Sequence, residues 1–347
     1  MNRIYFGDNL EILREFPDNS VDCGYADPPF NSGRVYNTFL VNSQAQQKAF
    51  TDTWRWDDAA REARAFVVEQ TTETYQRLNK CLQGYDLVLQ EATSGNKGAM
   101  RAYLAFMGPR LAEVHRVLKE TGSFYLHCDT TASHYLKGLL DAIFDAKNLK
   151  HNRNFRNEIV WCYTGPSNTK KWFPRKHDTL FFYTVAEQGH TFNPDAVKIP
   201  YKKRQTGKTQ GIFKTDYELD ARGKIPEDYW LEERDNMTPV GRLANERMGY
   251  PTQKPRALLE RLIKASTNEG DIVLDPFCGG GTTLDAAETL NRRWIGIDLT
   301  ILALEPVQRR LKERHGLEPS VDYKILQIES RPKSERHFKG TQLKVDI

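Results

Sequence analysis

DIVLDPFCGGGTTLDAAETLNRRWIGID, residues 271–298, decides the fold. The apolar run of DIVLD predicts a buried strand, GTTLDAAETL a helix and RRWIGID a second strand, with three glycines, Gly279 to Gly281, at the first turn. Glycines there let the backbone approach a ligand, while the helix N-terminus offers free N–H groups. A phosphate-binding loop needs a lysine after the glycines, where Thr282 and Thr283 stand, and the G-x-G-x-x-G spacing of a dinucleotide site is missing. Asp298, at the tip of the second strand, is placed to accept hydrogen bonds from two ribose hydroxyls. The unit predicts a site for an unphosphorylated nucleoside, the alternative being a tight turn with Asp298 as a helix cap.

A second stretch, YADPPFNSGR at residues 25–34, follows the apolar run VDCGYA. It sets a carboxylate, two residues without an N–H, and an aromatic ring at the end of a predicted strand. Between the two stretches, strands and helices alternate. RIYFG and VDCGYA predict strands around a short LEILREF helix, a β-α-β start. AMRAYLAFMGPRLAEVHRVLKE predicts a helix, FYLHC a strand, TASHYLKGLLDAIF a helix, and NEIVWCY and DTLFFYT two strands joined by the basic loop TGPSNTKKWFPRKH. KPRALLERLIKAS and ILALEPVQRRLKERH predict further helices, the latter with its first turn disturbed by Pro306. The expected fold class is α/β: a mostly parallel sheet with helices on both faces.

Residues 36–97 read as a polar, irregular insertion with a helix from about Asp57 to Leu82; Trp54 and Trp56 are expected to be buried within it. His127 and Asp129 lie at a strand end, with His127 expected to be a satisfied structural histidine. Residues 186–249 lose the α/β rhythm, and those after 317 are polar, without an assignable element. The net charge is only +4, yet residues 150–214 hold 13 Lys/Arg against 4 Asp/Glu, so the excess is local. In isolation KIPYKKRQTGKTQGIFK reads as a solvated face; its position between the two motif-bearing halves is what makes Lys198, Lys202, Lys203 and Arg204 candidates for phosphate contacts, which position a duplex without specifying sequence.

The five cysteines are widely spaced, with no C-x-x-C pair, so neither zinc nor a disulfide framework is indicated. No leader-like N-terminus and no long apolar run are present, which predicts a soluble, cytoplasmic protein without a membrane partner.

The two stretches together resemble the S-adenosylmethionine-dependent amino-methyltransferases of DNA. DPFCGGGTT at 275–283 is similar to their D-P-F-x-G-x-G cofactor loop, and DPPF at 27–30 to their catalytic motif; the catalytic motif coming first resembles the circularly permuted beta class. YPTQKPRALLERLI at 250–263 resembles the helix before the cofactor loop in that class, and GDNLEIL at 7–13 its N-terminal acidic strand end. The resemblance implies a Rossmann-like methyltransferase fold with an inserted DNA-recognition segment. It divides the chain into a catalytic half at 1–185, a recognition segment at 186–249, a cofactor half at 250–316 and a tail at 317–347.

It also implies roles for single residues. Asp27, Pro28, Pro29 and Phe30 are implied to be catalytic. Asp275, Pro276, Phe277, Gly279, Gly281, Thr282, Thr283 and Asp298 are implied to hold S-adenosylmethionine, with Asp8 at its adenine amine and Thr252 and Lys254 at its methionine end. Aspartate in the first motif position favours adenine-N6 over cytosine-N4 as the acceptor in double-stranded DNA. A relative that binds DNA without catalysis, a companion restriction endonuclease and a homodimer stay open.

Overall fold

The structure, a computed structural model, describes residues 1–31, 33, 35–39, 46–90, 98–145, 154–201, 220–240, 246, 248 and 252–327. The chain begins with β1 (Asn2–Phe6), α1 (Asn9–Arg14) and β2 (Val21–Ala26), then a hairpin of β3 (Val35–Phe39) and β4 (Gln46–Thr51). Helices α2 (Asp58–Glu69), α3 (Glu73–Gln90) and α4 (Ala99–Val117) lead to β5 (Leu118–Cys128), α5 (Ser133–Ile143), β6 (Phe155–Cys162) and β7 (His177–Thr184). After β8 (Tyr229–Leu231) and the single turn α6 (Glu232–Asp235) come α7 (Arg256–Ser266), β9 (Ile272–Asp275), α8 (Thr282–Thr289), β10 (Arg293–Asp298), α9 (Leu304–His315) and β11 (Tyr323–Gln327).

Nine strands form one sheet in the order β11-β1-β10-β9-β2-β5-β7-β6-β8. Period-two alternation gives it two buried faces: Phe124, Leu126 and Cys128 of β5 join the core under α1, α3, α4 and α5, whereas Tyr125 joins the core under α7, α8 and α9. This is the expected three-layer α/β arrangement. From β2 the chain crosses over α4 to β5 on one side, and from β9 it crosses over α8 to β10 on the other. The order therefore reverses between the neighbours β2 and β9, and a crevice opens at their C-terminal ends.

Local sequence explains several boundaries. The Asp8 carboxylate caps α1 by accepting from the Leu10 N–H at 2.8 Å, and Asp57 caps α2 through the Ala60 N–H at 3.1 Å. Pro255 stands at the N-cap of α7, and Gly316 ends α9 at φ 69°. A 3-10 turn at Ile301–Ala303 precedes α9, in keeping with the disturbed first turn expected near Pro306.

Several expectations are corrected. β1 and β2 are not adjacent, because β10 and β9 lie between them. β7 runs antiparallel to both β5 and β6, since the β6–β7 connection is a loop with no crossover helix. β5 starts at Leu118, where the periodicity predicts helix, and its first residues continue straight from α4. The expected single helix from Asp57 to Leu82 is two helices, broken where Gln70 turns extended, and residues 36–97 include a hairpin as well. Past residue 317, β11 adds a parallel strand beside β1 and buries Tyr323 completely. β8, inside the 186–249 segment, pairs with β6 and so belongs to the main sheet. Among the described residues no helix is long and apolar enough to cross a membrane.

Candidate active site

The crevice between β2 and β9 is a cavity of about 460 Å³, in the range of small-molecule sites. Asp27, Pro28, Pro29 and Phe30 leave the end of β2 on one wall; Asp275 to Gly280, Thr282 and Thr283 leave the end of β9 on another. The two motifs, far apart in sequence, sit side by side because Cys23 pairs with Val273 and Gly24 with Leu274. Asp8, Thr252, Lys254 and Asp298 line the same cavity.

Backbone geometry in the glycine loop follows from its composition. Gly279 and Gly281 have φ of 46° and 73°, left-handed values that a side chain disfavours. A Cβ on Gly281 would also lie 2.9 Å from Cγ2 of Val307. Asp275 closes the turn: its carboxylate accepts from the Phe277 N–H at 2.9 Å and from the Thr283 hydroxyl at 2.5 Å. Burial, opposed by those bonds and reinforced by the charges of Asp27 and Asp298, pushes its pKa up to about 7. The buried Arg310 donates through Nε to the Gly280 carbonyl at 2.9 Å and pairs with Asp285, tying α9 to the loop.

Asp298 accepts the Gly279 N–H on one oxygen and the Thr300 N–H on the other, both at 2.9 Å. Each oxygen retains acceptor capacity toward the cavity, two positions for two hydroxyls. Burial raises its pKa to about 6 in spite of the two N–H donors.

Asp8 both caps α1 and accepts from Arg110 on both oxygens, Nη2 lying 2.7 Å from each. Arg110 also donates to Asn9 Oδ1 at 2.7 Å, and Asn9 Nδ2 donates to the Pro276 carbonyl at 2.7 Å. A single buried guanidinium thus couples the N-terminal strand end to the glycine loop.

The Asp27–Phe30 stretch is held from two sides. The Lys254 ammonium lies 2.7 Å from both carboxylate oxygens of Asp27 and 4.8 Å from the centre of the Phe30 ring. Below, the buried Asp52 accepts from the N–H groups of Phe30 and Asn31 at 3.1 and 2.7 Å and from Trp54 Nε1 at 3.1 Å. Phe30 stacks on His127, ring centres 6.0 Å apart. That histidine is fully buried and satisfied, Nδ1 facing the Tyr25 hydroxyl at 2.9 Å and Nε2 the Asp178 carboxylate at 3.0 Å, which agrees with the structural role expected for it. Trp54 packs on Tyr103 and Phe106 and lines the cavity, and Trp56 is covered by Arg101.

Sequence reading missed Arg110, Asn9, Asp52 and Arg310. Arg110, set among mostly apolar buried residues of α4, carried a weak local signal; Asp52 had none, since the Phe30 and Asn31 N–H groups that it holds lie some twenty residues away. Lys198 is described and pairs with Asp195 at 2.6 Å and with Asp220. Lys202, Lys203 and Arg204 lie outside the described residues.

Comparison with known proteins agrees with this geometry. Type II methyltransferase M.HpaI of Haemophilus parainfluenzae is 28% identical over 324 residues, covering 93% of this chain and 78% of its own. DNA adenine methyltransferase YhdJ of Escherichia coli K12 is 27% identical over 314 residues, covering 89% and 82%. Among solved structures, TTHA0409 of Thermus thermophilus, complexed with S-adenosyl-L-methionine, matches the fold with a TM-score of 0.50 at 16% identity, covering 95% of this chain and 100% of that one. The family model described as DNA methylase, for the N6/N4 amino-methyltransferases, matches residues 21–307 and so takes in both loops and all that lies between them; the chain belongs to this family, a DNA methyltransferase that uses S-adenosylmethionine.

Proposed function

We propose that the chain methylates the N6 amine of adenine in duplex DNA, with Asp27 to Phe30 as its catalytic group and residues 186–249 as its recognition segment. The observation that carries the proposal is the shared cavity, which is lined by both the Asp27 carboxylate and the glycine loop at adjacent strand ends. Aspartate in the first motif position and similarity to an adenine enzyme, YhdJ, favour adenine over cytosine.

The cavity fits the cofactor by its donor set. The two outward acceptor positions of Asp298 suit ribose hydroxyls, Asp8 offers an acceptor for an adenine amine, and the acidic lining suits a cation. Asp275, Pro276, Phe277, Gly279, Gly281, Thr282 and Thr283 shape the loop that would hold it, with Thr252 and Lys254 at its methionine end. When bound, S-adenosylmethionine supplies an electrophilic methyl group on a sulfonium.

The remaining work falls to the chain. An exocyclic amine is a poor nucleophile because its lone pair is delocalised into the ring. The Asp27 carboxylate and the Pro28 carbonyl accept its two N–H bonds, drawing the nitrogen towards tetrahedral geometry, while the two prolines fix that carbonyl's direction. Lys254 holds Asp27 aimed into the cavity; each oxygen keeps a further acceptor position for the substrate. Phe30, backed by His127, gives the base a stacking face, offsetting the unstacking needed to bring it out of the duplex. Once the nitrogen is methylated and cationic, Asp27 takes or relays its proton.

Lys198, Lys202, Lys203 and Arg204 are proposed to contact phosphates, Lys198 by exchanging its present carboxylate partners for the backbone. The type II designation of M.HpaI supports a companion restriction endonuclease, and a homodimer belongs to the same proposal. Modification-sensitive sequencing of DNA from cells expressing the protein tests the reading. Methyl marks on adenine N6 at one recurrent short sequence are expected; marks on cytosine N4 would refute the choice of base, and no new marks would refute the activity.

A further inference from the structure

The loop between β6 and β7 is not used by the chemistry above, yet it carries the two most exposed aromatic side chains among the described residues. Trp172 is 66% and Phe173 93% exposed, next to each other on a surface where rings of that size are normally covered. Lys170, Lys171, Arg175 and Lys176 flank them, and residues 164–177 contain no acid. No described carboxylate pairs with Lys170, Lys171 or Arg175. Four cations around two bare rings make a surface complementary to a polyanion that also offers planar, stackable groups.

Sheet topology puts this loop at the catalytic edge. β5 runs parallel to β2 and β7 antiparallel to β5, so the end of β6 and the start of β7 lie at the end of the sheet from which Asp27 emerges. Asp178, just beyond the loop, bonds His127, on which Phe30 stacks; the root of the loop is therefore one side chain removed from the catalytic aromatic. The projection is also preformed. The Tyr163 N–H donates to the Lys176 carbonyl at 3.0 Å, Lys176 Nζ to the Pro166 carbonyl at 3.0 Å, and the Thr169 hydroxyl to the Trp172 carbonyl at 2.9 Å.

We infer that residues 164–177 form a DNA wedge: Lys170, Lys171 and Arg175 engage phosphates beside the target, and Trp172 with Phe173 inserts against the stack from which the base has left. Aromatic wedges that partially unstack a step lower the cost of holding a base outside the duplex, and cations on both sides anchor them. The inference rests on the DNA-methylation reading for the role of the wedge in turnover, but the location of the DNA contact can be tested without it.

Two variants of the full chain separate the parts. K170A/K171A/R175A is titrated with a random-sequence duplex at several salt concentrations. The slope of log K against log salt is expected to fall by about 0.9 for each phosphate no longer engaged, some two to three in all. W172A/F173A is expected to keep that slope, its melting temperature and its calorimetric affinity for S-adenosylmethionine, while transfer of labelled methyl to unmethylated plasmid drops at least tenfold. An unchanged slope in the triple variant overturns the phosphate contacts, and transfer within twofold of the parent protein overturns the wedge. Near-normal transfer together with loss of a dimer in light scattering would assign the aromatic pair to a contact between two copies instead. If the parent protein itself methylates no DNA, the proposed activity fails, and the salt slope alone decides whether this loop faces DNA.

Discussion

Asp298, proposed above to hold the ribose hydroxyls, shows at the scale of one residue how burial tunes an acceptor. Its two oxygens are each half-satisfied by backbone N–H groups, and burial raises its pKa to about 6. The ionised carboxylate accepts from two hydroxyls more strongly than the acid, one of whose oxygens has become a donor, so protonation competes with the cofactor. Affinity for S-adenosylmethionine is therefore expected to hold steady above about pH 7 and to weaken by up to about tenfold per unit below about pH 6. Asp298→Ala should weaken binding by roughly 1–3 kcal/mol near neutrality and reduce the acid-limb slope near pH 6, leaving the contribution of Asp275, whose pKa is raised to about 7 in the same loop. Calorimetry across the range checks both, and an identical pH profile in the variant would take Asp298 out of the site. The residue was legible in sequence because its position after the second strand of a βαβ unit is a local pattern. Arg110 and Asp52, which support the site from α4 and from after the hairpin, were not, because their partners are set by tertiary contact.

Among the elements, the turn into α8 was read most completely and can be tested most simply. Gly281 combines a φ of 73° with a van der Waals boundary, the Val307 side chain 2.9 Å from where a Cβ would stand. Gly281→Ala should lower stability by about 1–3 kcal/mol, as a left-handed non-glycine residue with a clash, and adding Val307→Ala should recover only the clash. Thermal melts of the single and double variants decide it; an unperturbed single variant would mean that the loop relaxes freely. Strands and helices with strong periodicity, such as β9, α8, β10 and α5, were legible for the same reason as this turn, since local pattern and tertiary burial agree. β11 was not: its short apolar run Tyr323, Ile325 and Leu326 is flanked by polar residues, and pairing with the free edge of β1 is what makes it a strand. The direction of β7 was also hidden, because strand periodicity is the same in either orientation.

For the whole molecule, the central fact is that two motifs at opposite ends of the sequence become adjacent strand ends. The chain lays down β2 and then builds outward to β5, β7, β6 and β8, returning through α7 to place β9 beside β2 and build outward the other way. The motifs and their order could be read from sequence, but not their adjacency, nor the clasp that joins the halves where Lys254 meets Asp27. That clasp gives Asp27 a structural duty beside its proposed catalytic one, so the decisive measurement must separate them. Single-turnover transfer of labelled methyl to duplex DNA is measured for Asp27→Asn, which preserves shape, alongside Lys254→Met, a thermal melt and cofactor calorimetry. A folded Asp27→Asn protein with near-normal affinity for S-adenosylmethionine and transfer reduced by at least about a hundredfold is the expected result, the loss that follows removal of a positioned catalytic group. Near-normal transfer from that protein would contradict the assignment of Asp27 as the residue that orients the target amine.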